Sequence, residues 1–519
     1  VTNVTGANVV DGQGQGTIQN DDVSLTPIHD IQGNGATSPI TGTSVTTSGI
    51  VTGRKSNGFF MQEPDASVDA DPATSEAIFV FTSSAPPAAA TVGNLVQVTG
   101  TVTEFIPSTD PFTLPQTELT SPTVVQITSG NPLPTATVLT AANTDPAGTP
   151  DQLERFESMR VQVNSFTVTA PTGGSLSEAN ATSTSNGLFY GVVTGVARPF
   201  REAGIHRLDP LPSGAPGTVT RWDANPELIG VASNAIGAPA MDVATNAVLS
   251  NLVGPLDFRN RYYTIDIDPA SLPGVTNNSQ TFTAVPVPNA NEMTVASFNL
   301  ERFYDDVNDA GGDAVLTTTA YNNRLNKASL AIRNVLRTPD VLGIVEMENL
   351  TVLQALANKI NADAVAAGDP NPNYSPYLIE GNDVGLIDVG FLVKSGRVTV
   401  NSVTQFGLTT TYTNPNNGLP ETLNDRPPLV LDGTFTGSSC VSGNTFKVIV
   451  NHLRSLNGVD DAVDGNRTRT KRQQQAEFLA NLIQGFQVAD PTVKIVSVGD
   501  YNAVEFNDGY VDMIGTIKG

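Results

Sequence analysis

At 519 residues, with 51 acidic against 27 basic side chains and a net charge of −24, the chain is long enough for roughly three domains, each with its own core. The charge excludes a protein that coats DNA regardless of sequence, because phosphate binding needs a basic footprint, but not an enzyme that admits phosphates through local arginines and a divalent cation. Only 15% of residues are charged, with Thr, Ser, Asn and Gly prominent among the rest, a balance that suits a secreted bacterial β-protein; Cys440 is the one cysteine, so no intramolecular disulfide forms.

No stretch approaches the length of a membrane span. The opening "VTNVTGANVV" has neither an initiator Met nor a charged-then-apolar leader, so the chain reads as an excerpt cut at both ends. Residues 1–23 read as the tail of a domain: the first 22 end in "GTIQNDD", which resembles the last strand of a Calx-beta domain; the resemblance implies calcium binding by Asp21 or Asp22, and a solvated acidic linker is the alternative. From 24 to 145, short β-rich runs such as "SVTTSGIVTGR", "GFFMQEP", "AIFVFTS" and "NLVQVTGTVTEF" alternate with turn residues, the pattern of a small barrel or sandwich. Their order resembles the OB-fold modules that precede secreted nucleases. By that resemblance, Phe59, Phe60, Arg54 and Lys55 form a base-stacking face; core aromatics beside a solvated turn are the other reading. A second β-rich region, 150–288, is another OB-like unit or an elaboration of the first. The Pro-rich "AVPVPNANE" reads as a linker.

From 292 to 519 the texture changes to strand-like runs alternating with segments of helical period, which predicts an α/β domain. In "NNRLNKASLAIRNVL", Leu325, Ala328, Ile332 and Leu336 share one apolar face. Four apolar runs finish on polar side chains: "VASFN" on Asn299, "LGIVE" on Glu346, "VIVNH" on His452 and "VSVGD" on Asp500, with Asn502 two residues on. Strand ends in α/β folds meet at a common rim, so four such endings predict a site. Glu346 suits Mg²⁺, a hard cation that takes oxygen ligands and leaves positions open for phosphate. His452 suits donation to a phosphoryl oxygen or leaving group, Asp500 suits orienting water, and Asn299 and Asn502 supply neutral donors. Asn349 suits capping of the helix that begins "NLTVLQAL", with Glu348 beside it, while Asp388 receives no role.

"SFNLERF", "PDVLGIVEMEN", "VNHLRS" and "VGDYNA", in this order, resemble the motifs of the endonuclease/exonuclease/phosphatase superfamily, and with the β modules in front the chain is similar to large secreted bacterial nucleases. The resemblance implies a four-layer α/β sandwich with Glu346 and Asp500 as metal ligands for Mg²⁺, Mn²⁺ or Ca²⁺. It implies catalytic roles for His452, Asp500, Asn502 and Asn299. It also implies a further strand with an Asp-His pair. The three histidines here are His29, His206 and His452, and the first two fall in the β regions. On that reading the chain stops inside its catalytic domain and is inactive alone.

"NRTRTKR" concentrates Arg467, Arg469, Lys471 and Arg472 at a helix start, and Arg454 follows His452 by two. Arginine's planar fork suits phosphate; an ordinary solvated helix start is the alternative. The expected function is a secreted, Mg²⁺-dependent nuclease on extracellular DNA or RNA, with a small or lipid phosphoester as alternative substrate and a non-catalytic calcium-binding surface protein as the third reading.

Overall fold

The computed structural model describes residues 24–212, 219–279, 282–309, 313–437, 444–461 and 463–519. Asp21, Asp22 and Cys440 lie outside the described residues, and with them the calcium-binding expectation. Among the described residues no helix is long and apolar enough to cross a membrane.

Five strands close the first barrel: β1 (Ser44–Arg54), β2 (Gly58–Gln62), β3 (Ala77–Phe81), β4 (Leu95–Phe105) and β5 (Gln116–Thr128), in the cyclic order β1-β2-β3-β5-β4. β4 and the first half of β1 alternate buried and wetter positions, as walls of a barrel do, and the second half of β1 is buried on both faces. β2 is buried at every position, because its second face is covered as well. Phe59 packs in the barrel core, while Phe60 stands against Phe79 with ring centroids 5.0 Å apart. Neither ring has any exposed surface. Of the two readings the core-aromatic one holds and the stacking face does not: turning either ring outward would forfeit about 1.5–3 kcal/mol of burial. Lys55 ion-pairs with Asp257 of the next barrel at 2.9 Å, and Arg54 donates to the Pro86 carbonyl at 2.7 Å.

The second β region closes on itself too. β6 (Arg160–Ala170), β7 (Leu188–Val193), β8 (Ile229–Ala232), β9 (Val248–Arg259) and β10 (Tyr262–Asp266) pair β6-β7-β8-β10-β9, with β9 returning to β6. In both barrels the third and fifth strands form the parallel pair and the other four pairings are antiparallel. The second region is thus a repeat of the first barrel's topology with its own core, including Phe166, Phe189, Leu249 and Ile265. Polar contacts lock the two together, among them Gln116 Nε2 to Asp257 at 3.2 Å and Thr117 N to Glu157 Oε1 at 3.1 Å.

The remainder is a two-sheet sandwich faced by helices. β11 (Val295–Phe303), β12 (Val341–Met347), β13 (Tyr374–Leu378) and β14 (Asp388–Lys394) pair β11-β12-β14-β13; β15 (Val398–Gln405), β16 (Leu429–Phe435), β17 (Thr445–His452) and β18 (Lys494–Asp500) pair in chain order. β12 reads as a continuous apolar run because both faces are buried. Val341 and Val345 enter the layer between the sheets. Leu342 and Ile344 lie under helices α1 (Thr318–Leu330) and α2 (Leu350–Ala366). A Cβ on Gly343 would come within 2.8 Å of Val498 and 3.1 Å of Val450, so glycine lets the sheets approach. The expected face holds, with Leu325 and Ala328 buried on α1, Ile332 buried in the Ala331–Val335 turn that continues it, and Leu336 packed against them. Helix α3 (Gly465–Ala489) covers the other sheet, setting Leu479 on Val430 and Ile449. "AVPVPNANE" is tied to this unit by Val285 N to Val335 O at 2.9 Å and by Arg397, which holds the Ala290 and Glu292 carbonyls.

The second barrel grips the sandwich at two places. Its hairpin of Gly174–Ser177 and Thr182–Ser185 sets Glu178 against Arg302 at 3.0 Å and accepts Thr317 N on the Ala179 carbonyl at 2.8 Å. On the far side Gly204 N donates to the Asn507 carbonyl at 3.0 Å.

Candidate active site

β11 and β12 are parallel, as are β17 and β18, so these four strands deliver their C-terminal residues in pairs to one rim. The backbone breaks regularity there. Glu346 has φ +62° at a register shift between Val345 and Met347. A left-handed non-glycine residue costs about 1–3 kcal/mol, and this bulge turns the carboxylate out of the apolar layers. Glu301 and Arg302 are left-handed too, at a second register shift where β11 ends. Gly499 has φ +124°, and a Cβ there would sit 2.0 Å from the Asn451 carbonyl oxygen, so only glycine lets β18 end against β17 with Asp500 beside His452.

The result is one cluster. Asn299 Nδ2 donates to Glu346 Oε1 at 2.9 Å and to Asp500 Oδ2 at 3.2 Å. Arg302 N donates to Glu346 Oε2 at 2.8 Å, and His452 Nε2 lies 3.8 Å from Glu346 Oε1. Asn502, left-handed at φ +48°, gives its backbone N–H to Asp500 Oδ1 at 2.8 Å and its side-chain amide to the Leu453 carbonyl at 2.8 Å. It therefore fastens the Asp500 turn to the strand bearing His452. Burial, then the neighbouring Arg426 guanidinium, push the His452 imidazole down to about 4 against the pull of the Glu346 and Asp500 carboxylates. The ring is neutral at neutral pH, and among the described residues its buried Nδ1 has no hydrogen-bond partner.

Glu346, His452 and Asp500 each offer a ligand atom, and these atoms lie within 4.8 Å of one another. Two carboxylates drawn to a single amide make a hard-oxygen donor set that fits a divalent ion such as Mg²⁺. His29 and His206 have other partners: the first lies 3.2 Å from Glu76 in the first barrel, the second stacks edge-on against Trp222 in the second.

The basic residues divide. Arg454, Arg467 and Lys471 line a cavity of about 270 Å³, with Arg467 paired to Glu421 at 2.8 Å and Lys471 to Asp425 at 2.8 Å. Arg472 has no exposed surface and donates to the Arg454 carbonyl at 2.5 Å, while Arg469 holds the Val459 carbonyl at 2.6 Å. Arg472 is thus corrected from a phosphate contact to a buried strut. Asn349 caps α2 by accepting Val352 N at 2.9 Å. Glu348 instead accepts Asp305 N at 2.8 Å, and burial, helped by the Asp305 and Asp313 carboxylates, pushes it up to about 8.

Two rim residues escape a reading of strand ends. Arg426 joins the same cavity, lies beside His452 and pairs with Asp383 at 2.9 Å. Asp388 is buried, accepts Gly381 N at 2.8 Å and is pushed up to about 8 by burial and by Glu380. Both lie at or just before the first residues of strands antiparallel to their neighbours, β16 and β14.

Residues 294–517 match the model of the Endonuclease/Exonuclease/phosphatase family. No curated protein matches the chain. Among solved structures it is similar to the human Nocturnin catalytic domain (14% identity, 36% of this chain and 60% of that one, TM-score 0.24). Humanized D. rerio TDP2 matches at 19% identity over 41% of this chain and 63% of its own, TM-score 0.25. A Bacteroides thetaiotaomicron mannosyl-6-phosphatase matches at 14% identity over 43% and 70%, TM-score 0.27. The chain thus spans about three fifths of the first two.

Proposed function

We propose that the sandwich is a divalent-metal-dependent phosphodiesterase whose substrate is nucleic acid, DNA in the first instance, acting outside a bacterial cell. The observation that carries this reading is the meeting of Asn299, Glu346, His452 and Asp500 at one rim, within a segment that matches a family of phosphoester hydrolases.

Glu346 and Asp500 would hold the metal, which when bound supplies positive charge to a phosphoryl oxygen. Asn299 orients both carboxylates. His452, neutral and walled by β17, presents Nε2 on the Glu346 side and suits a hydrogen bond to a phosphoryl oxygen or leaving group. Asn502 keeps Asp500 in place through its backbone N–H. The preference for nucleic acid over a small phosphoester rests on two supports. One is the tandem of barrels with the strand order of an OB fold; the other is the arginine-lined cavity beside His452.

The test is cleavage of supercoiled plasmid with Mg²⁺ and with EDTA, for the protein and for Glu346→Gln, in the longest natural form that contains these residues. Mg²⁺-dependent nicking that vanishes in the variant supports the reading. Intact plasmid beside a hydrolysed sugar phosphate moves the substrate to small phosphoesters.

A further inference from the structure

A second cavity, of about 430 Å³, takes in Asn299 of the rim and shares no lining residue with the arginine-lined one. One wall belongs to the sandwich, with Asn299, Arg302, Arg324 and Lys327; the other is the Gly174–Ser185 hairpin of the second barrel, with Thr182 and Ser183. The hairpin is held there. Glu178 pairs with Arg302, the Ala179 carbonyl takes Thr317 N, and Ala181 packs against Tyr304, Leu316, Ala320 and Ile387. The cations have different duties. Arg302 is clamped to Glu178, and Arg324 donates to the carbonyls of Leu300, Glu301 and Arg302, pinning the left-handed turn after Asn299. Lys327 is exposed and, among the described residues, has no partner. In a chain of net charge −24, a lysine without a partner among the described residues, lining one groove with Thr182, Ser183 and the rim residue Asn299, is suited to an anionic chain.

We propose that this groove seats the nucleic-acid backbone to one side of the cleaved phosphate, Lys327 meeting a phosphate on the sandwich wall and Ser183 facing it from the barrel wall. The second barrel is then part of the substrate site. This rests on the nucleic-acid reading above and adds a direction to it: the strand runs from the Arg454 cavity, past His452 and Glu346, into the groove beside the hairpin.

The test is binding of a fluorescein-labelled oligonucleotide in EDTA, followed by anisotropy across a range of salt, which needs no turnover. Lys327→Gln removes one phosphate contact, so affinity falls and the slope of log K against log salt drops by about 1. Ser183→Glu sets a carboxylate on the exposed barrel wall and weakens binding severalfold. Lys494→Gln, the same charge change at the opposite end of the strand that carries Asp500, leaves both quantities as in the unaltered protein. If the unaltered protein binds and either groove variant, folded by circular dichroism, matches it in affinity and slope, the groove is overturned while the nucleic-acid reading stands. If the unaltered protein binds no oligonucleotide, the nucleic-acid reading falls and the groove with it.

Discussion

One amide of Asn299 serves two carboxylates, Glu346 at 2.9 Å and Asp500 at 3.2 Å, on strands from different sheets. The site is therefore a joint between the two halves of the sandwich, and a neutral donor bridges its two carboxylates without cancelling their charge. Asn299→Asp would bring a third carboxylate against the pair and lower the melting temperature of the metal-free protein. Mg²⁺ would relieve that repulsion, so saturating Mg²⁺ is expected to raise the melting temperature of the variant more than that of the unaltered protein. Equal metal-induced shifts would show that the two carboxylates share no ion. Asn299→Ala is expected to cost about 10–100-fold in metal affinity, read by calorimetric titration.

Glu346 holds its carboxylate at the rim by a left-handed backbone, φ +62°. Glycine takes that conformation freely and alanine does not. On the proposed function both Glu346→Gly and Glu346→Ala are expected to abolish metal-dependent cleavage, and the glycine variant is expected to be more stable than the alanine variant by about 1 kcal/mol. Urea denaturation distinguishes them. A glycine variant no more stable than the alanine one would mean that the strain is absent in solution.

Glu118 is buried in the first barrel, where burial, opposed by Lys55, raises its carboxyl to about 7. The unfolded chain releases this proton near the ordinary carboxylate value, so between about 4.5 and 7 the folded state binds more protons than the unfolded one. The Glu118 contribution is thus present at low pH and is lost as pH rises through that window. Glu118→Gln, which cannot ionise, is expected to raise the melting temperature relative to the unaltered protein at pH ~8 and to change it little at pH ~5. A difference independent of pH would place the proton elsewhere.

The sandwich and its rim were legible because each strand carries its own signature, a mostly apolar run that meets a polar side chain, Asn299, Glu346, His452 or Asp500; the runs before Glu346 and His452 are buried almost throughout, those before Asn299 and Asp500 only in part. Arg426 and Asp388 were not, since β16 and β14 run the opposite way and bring their beginnings to the rim; strand direction is a tertiary fact that periodicity does not encode. The bulge at Glu346 was equally hidden, because a positive φ on glutamate leaves no mark in composition. Phe59 and Phe60 left two readings open for a related reason. Aromatics on a barrel strand look the same in sequence whether they face water or a core, and the structure shows both rings buried, Phe59 inside its own barrel.

Helix α3 carries the sharpest contrast in the basic cluster. Arg472 and Arg454 touch each other, the first donating to the second's carbonyl, yet one is fully buried and the other lines the cavity beside His452. Arg472→Ala leaves the buried Asp508 carboxylate, 3.7 Å away, without its cation, and loss of one partner from a buried pair costs about 3–5 kcal/mol. Arg454→Ala removes a partly exposed side chain and changes stability by no more than about 0.5 kcal/mol. The same two variants are expected to reverse order in oligonucleotide binding: at a temperature where both are folded, Arg454→Ala weakens binding and lowers the salt slope by about 1, while Arg472→Ala retains the slope of the unaltered protein. Urea midpoints and anisotropy titrations on the same preparations read both effects. If Arg472→Ala alone lowered the slope, the buried strut would have to be reassigned as a phosphate contact.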